Sequence, residues 1–150
     1  MQLNNIRLEN SYNVCVFPAD SSTAKIWQFP YIPQLESRKS IGIQLKLSGT
    51  DPNTAKTNLG IGIVSGSYPC FLTLVDNRGN QFVQNIPVSE LNPVQYATNT
   101  NTTTAIGYLR NTNGLFVFAP KYVAWNKCFL SFPTATGLSG YCVMFNIFYV

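Results

Sequence analysis

From Ile41 to Ser48 the sequence alternates without a break: Ile41, Ile43, Leu45 and Leu47 against Gly42, Gln44, Lys46 and Ser48. A period of two sends one set of side chains into a core and the other towards water, which predicts a half-buried β-strand. Similar segments run over Tyr12–Phe17, Ala24–Phe29, Leu59–Val64, Cys70–Val75, Gln81–Gln84, Ala105–Arg110, Leu115–Ala119, Tyr122–Phe132 and Tyr141–Val150. No stretch carries a helical period of ordinary length, and no motif repeats at a fixed spacing. These features predict an all-β protein, an antiparallel β-sandwich forming a single jelly roll of about eight strands. One domain spans residues 1–150, with 1–10 as an N-terminal arm.

The punctuation between strands is polar and glycine-rich. Phe71–Leu91, FLTLVDNRGNQFVQNIPVSEL, places Asp76-Asn77-Arg78-Gly79-Asn80 between two β-type runs. Asp and Asn tolerate turn geometry and Gly79 supplies a positive φ, so a tight hairpin is expected there. On that reading Asp76 and Arg78 belong to a turn. Pro87 starts a single helical turn that puts Glu90 at its dipole-favoured beginning. Asn111-Thr112-Asn113-Gly114 is a second hairpin turn, and Pro18–Ser22, Ser48–Asn58 and Thr98–Thr104 are loops. Phe29-Pro30-Tyr31-Ile32-Pro33 reads as extended but interrupted, because each proline removes a ladder donor. An edge, or a crossing between sheets, accommodates it. The last strand, YCVMFNIFYV, is apolar on both faces apart from Asn146, so it belongs between neighbours and under cover.

Charge is scarce: ten Lys and Arg and six Asp and Glu in 150 residues, 11% against about 25% in ordinary domains. The surface is therefore finished with Asn, Thr, Ser, Gln and Gly, which suits a protein lying against other protein or facing an extracellular medium. The net charge of +4 is scattered, with only Arg38-Lys39 adjacent among the basic residues, and forms no nucleic-acid footprint. The N-terminus lacks the basic-then-apolar order of a secretory signal, and no apolar run approaches the ~20 residues of a membrane helix. Folding in a cytoplasm is expected.

The sequence offers no catalytic apparatus. Histidine is absent, which removes the commonest general base and metal ligand. Cys15, Cys70, Cys128 and Cys142 stand far apart without a CxxC pair, and read as buried free thiols, with disulfides the second reading, rather than as zinc ligands. Of the six carboxylates (Glu9, Asp20, Glu36, Asp51, Asp76 and Glu90), five lie in or beside turn-like stretches and Glu9 lies in the arm. Gly62-Ile63-Val64-Ser65-Gly66 is the nearest approach to a nucleophile elbow, but it is a strand entering a turn with no base for Ser65. Gly60-Ile61-Gly62 lacks the third glycine and following helix of a phosphate loop. The expectation is a protein that is not an enzyme, with no catalytic residue, metal or cofactor. Ten Phe, eight Tyr and two Trp furnish a core and rim. Trp27, Tyr31, Tyr68, Tyr96 and Tyr122 fall near loops or strand ends; Trp27, Tyr31 and Tyr68 are the candidate partner or glycan contacts.

Two stretches carry a family likeness. Phe71–Leu91 resembles the strand–DxxG–strand–PxxxL pattern of jelly-roll capsid proteins from tailless icosahedral bacteriophages. The tail, YVAWNKCFLSFPTATGLSGYCVMFNIFYV, is similar to their closing strand pair; together these segments cover about a third of the chain. Major coat proteins of that family fuse two jelly rolls, so a single roll is similar to the penton, or vertex, protein at the five-fold positions. The resemblance implies a virion protein assembled in the host cytoplasm. It would form a homopentamer against the major capsid protein, carry a spike protein and bind no specific nucleic acid. Vertex proteins often carry a basic or amphipathic arm, whereas Met1–Asn10 holds one arginine and one glutamate. A carbohydrate-binding or adhesin-type jelly roll, or a spike or fibre subunit, is the alternative.

Overall fold

Asp76–Asn80 is the apex of the entire fold. In the computed structural model the arms on either side pair with each other outward from this turn, as one long hairpin would. The structure describes residues 10–18, 25–46, 57–59, 63, 68–91, 114–134, 137–138 and 140–150. Next to the turn, β5 (Phe71–Val75) pairs with β6 (Gln81–Pro87). Further out β3 (Ser40–Lys46) pairs with β7 (Phe116–Lys121), and β2 (Ile26–Gln28) with β8 (Phe129–Ser131). Outermost, β1 (Ser11–Val16) pairs with β9 (Tyr141–Tyr149). All these pairs are antiparallel. Two further pairings, β3 with β9 and β5 with β8, join them into sheets ordered β1-β9-β3-β7 and β2-β8-β5-β6. The two-residue β4 (Thr57–Asn58) adds a parallel pairing to the start of β9. A long hairpin rolled so that its strands pass alternately between two sheets is the jelly roll expected from the strand pattern.

The core lies between the sheets. β9, the long apolar strand, sits between β1 and β3 as its composition requires, and Val143, Phe145 and Ile147 enter the main core. Its other face is covered as well, since Cys142, Met144 and Phe148 are buried. Asn146, the polar exception, aligns with Asn13 on β1 and Gln44 on β3, so the amides form one row across three strands. Phe29, just beyond β2, stacks on Phe145 of the opposite sheet with centroids 5.5 Å apart. Burying such a ring contributes roughly 1.5–3 kcal/mol.

Local departures from the expected pattern have long-range causes. Ile43 and Leu45 enter the main core, but Ile41 belongs to a separate cluster with Leu115 and Phe148. A register shift between Ser40 and Gly42 breaks the alternation there. Gly42 is needed at that position: a Cβ would stand 3.1 Å from the Phe116 carbonyl oxygen. Tyr122–Phe132 is not one strand. It contains a bridge at Val123, a 3-10 turn at Trp125–Lys127 and only then the short β8. Pro33, the last residue of the segment expected to be extended, instead starts one helical turn, α1 (Pro33–Glu36), anchored by buried Leu35. β6 runs on to Pro87, and the helical turn follows as a 3-10 turn at Val88–Leu91. The arm at 1–9, the loops at 48–56 and 98–104, and the strand expected at 105–110 lie outside the described residues. So do most of the strand expected at Leu59–Val64, Ser65, Tyr96, Glu9, Asp20 and Asp51.

All four cysteines are free thiols, Cys70, Cys128 and Cys142 buried and Cys15 half-buried. Burial pushes the Cys128 thiol up to about 12, and its Sγ lies 3.4 Å from the Ala124 carbonyl oxygen it donates to. No helix among the described residues is long and apolar enough to cross a membrane.

Candidate functional site

The antiparallel pairings divide the connections between the two ends of the sandwich. At one end lie β2–β3, β5–β6 and β7–β8. These three are tied to one another. The Asn77 N–H, at the tip of the β5–β6 turn, donates to the Tyr122 carbonyl at 2.9 Å, and the Ala124 N–H donates to the Val75 carbonyl at 2.9 Å. Phe29 N–H donates to the Cys128 carbonyl at 3.0 Å, and the Gln28 Nε2 to the Asn126 carbonyl at 2.9 Å.

Between these connections opens a cleft of about 430 Å³, lined by Tyr31, Ile32, Glu36, Asn77, Tyr122, Val123, Ala124, Trp125 and Asn126. Ile32, Val123 and Trp125 are buried, so its apolar side continues into the core. Tyr31 and Tyr122 stand out at 58% and 42% exposure. Both rings present an apolar face and a polar tip at the mouth of the cleft.

The Tyr31 side chain has one polar partner. Its hydroxyl donates to the Glu36 carboxylate across the bend into α1, and that bond raises the phenol above its ordinary titration range. The Lys39 ammonium lies 5.5 Å from the centre of the Tyr122 ring. Asn77 and Asn126 are exposed carboxamides with both donors and acceptors. Trp125 is 3% exposed, packs on Phe29 at 5.5 Å, and its indole N–H has no acceptor among the described residues. A buried donor in that condition wants a polar partner.

Of the three contacts expected from sequence, only Tyr31 lines this cleft. Trp27 is a correction: at 1% exposure it is core, packed on Phe132 at 4.6 Å, and has no free face for a ligand. Strand β2 alternates, and its middle residue points inward while Ile26 and Gln28 point out. Tyr68 is half-buried against the core and lies before β5, at the opposite end of the sandwich from Tyr31. Glu36, Asn77, Tyr122 and Asn126 were not among the expected contacts. Tyr122 did carry a signal, as an aromatic at a strand end; the others become neighbours only through the rolled topology.

The charged residues of the opening hairpin do not form a site. The Asp76 carboxylate accepts the backbone N–H groups of Arg78 and Asn80, both at 2.9 Å, while Glu90 lies beyond the far end of β6. Among the described residues no group of three or more His, Cys, Asp or Glu could hold a metal ion. The cleft brings together two aromatic rings, two carboxamides and one carboxylate. Comparison of the chain with family models, curated proteins and solved structures gives no match.

Proposed function

We propose that this chain is a structural virion protein, the penton subunit at the five-fold positions of a tailless icosahedral bacteriophage shell. It acts without catalysis or cofactor. It assembles as a homopentamer in the host cytoplasm, packs against the major capsid protein, offers a seat to a spike protein and contacts no specific nucleic acid.

The observation that carries this reading is a single jelly roll with ten basic and six acidic residues in 150. Lateral contacts in a closed ring bury surface, and an ion buried there without a partner loses its hydration. Asn, Thr and Gln form hydrogen bonds across such seams at lower desolvation cost, so a ring subunit favours them. The sheet edges support the same reading. β6 ends in Pro87, β7 contains Pro120 and β2 is three residues long. Edges blunted in this way resist strand addition, so neighbours meet through side chains and loops. The likeness of Phe71–Leu91 and Tyr122–Val150 to phage coat jelly rolls adds the viral setting.

Immunogold labelling of phage particles whose genome encodes this chain tests the reading. Label confined to particle vertices is expected; particles that lack the chain, or carry it elsewhere, would overturn it.

A further inference from the structure

We propose that the Tyr31–Tyr122 cleft is a binding site for a neutral saccharide. The site does not depend on assembly into a shell, and its residues are those of the single chain.

The cleft has the size of a small-molecule site, ~300–1,000 Å³ being usual, at about 430 Å³. Its two exposed rings match the C–H face of a pyranose, which is apolar, while the ring hydroxyls radiate sideways and need donors and acceptors. Asn77 and Asn126 supply both kinds from their exposed side chains. Trp125, buried at 3% exposure, forms part of the wall of the same hollow and reports on what enters it.

Charge decides against the ionic alternatives. An anion would meet the Glu36 carboxylate. An ammonium ligand stacked on Tyr122 would meet the like charge of Lys39, whose ammonium lies 5.5 Å from the centre of that ring. A neutral ligand rich in hydroxyls remains. The bond between Tyr31 and Glu36 also holds one ring before any ligand arrives, which lowers the ordering cost of binding.

The test is an NMR titration of the isotope-labelled full chain. The probes are methyl glycosides of glucose, galactose, mannose and N-acetylglucosamine and their short oligomers, with tetramethylammonium and inorganic phosphate as ionic probes. At least one saccharide is expected to shift the Trp125 indole and the Asn77 and Asn126 side-chain signals saturably. Tyr31→Ala and Tyr122→Ala should each weaken that binding about tenfold or more. Tyr31→Phe, which keeps the ring and loses the bond to Glu36, should weaken it less than Tyr31→Ala, with each variant's thermal transition reporting that it is folded. The proposal is overturned if no saccharide shifts these signals, if the alanine variants bind as well as the parent, or if only an ionic probe occupies the cleft. A monomeric chain that binds saccharide here would sink the shell reading and leave this one standing.

Discussion

Asp76 and Asn80 hold each other twice. The Asp76 backbone N–H donates to the Asn80 carbonyl at 2.9 Å, and the Asp76 carboxylate accepts the Asn80 N–H at 2.9 Å. With Gly79 at φ 85°, this is a three-residue hairpin loop with its left-handed position filled by glycine. Every other strand pair closes outward from it.

Asp76→Ala should therefore lower the thermal midpoint, since two N–H groups lose their acceptor. The backbone N–H of Asn80, followed by that of Arg78, holds the carboxyl below its ordinary range. A carboxyl depressed on folding contributes stability that is present above its unfolded value, about 3.9, and is lost as pH falls through the folded value. Thermal melts of parent and variant between about pH 6 and pH 2 should converge at the acid end. A difference that stays constant with pH would contradict the role given to the charge.

Phe145→Ala removes the ring that joins the two sheets through Phe29. With Phe145 at 0% exposure, a loss of about 3–5 kcal/mol is expected from urea unfolding. A cost below about 1 kcal/mol would place the ring outside the core.

Asn85 on β6 has φ 51°, the left-handed region, while its N–H lies 3.4 Å from the buried Thr73 hydroxyl oxygen. Asn85→Val should cost about 1–2 kcal/mol, because a β-branched side chain clashes there. Asn85→Gly should be close to neutral in the same unfolding experiment, and equal losses from both would refute the conformational explanation.

Thiol titration checks the burial of the cysteines. Cys70 and Cys128 are raised by desolvation and Cys142 is at 0% exposure, so a thiol reagent at neutral pH should label at most Cys15 rapidly. All four should react once the chain is unfolded. Rapid labelling of two or more in the native protein would contradict the packing.

Sequence carried the local part of this fold well. Asp76–Asn80 could be read as a hairpin because turn chemistry is set by neighbours in the chain, and β9 could be read as central because its apolar faces need cover. Ile41 is grouped by its alternation with Ile43 and Leu45 but joins a separate cluster, since the bulge beside it arises where β3 meets β7 and β9, far away in sequence. Trp27 looked available for being near loops, yet its position in a three-residue strand points it inward. The cleft was the least legible feature: Tyr31, Asn77 and Tyr122 come from three connections that only the rolled topology brings to one end. Tyr122 was hidden further by the β-like run Tyr122–Phe132, whose interruption at Trp125–Lys127 answers to packing on Phe29.

The proposed ring subunit is an ion-poor jelly roll whose flanks copies of itself would cover. Native mass spectrometry of the purified chain, with electron microscopy of the same sample, counts those copies. Five subunits closed into a ring are the predicted result. A chain that stays monomeric at the highest concentration reached, or closes with three-fold symmetry, would contradict it.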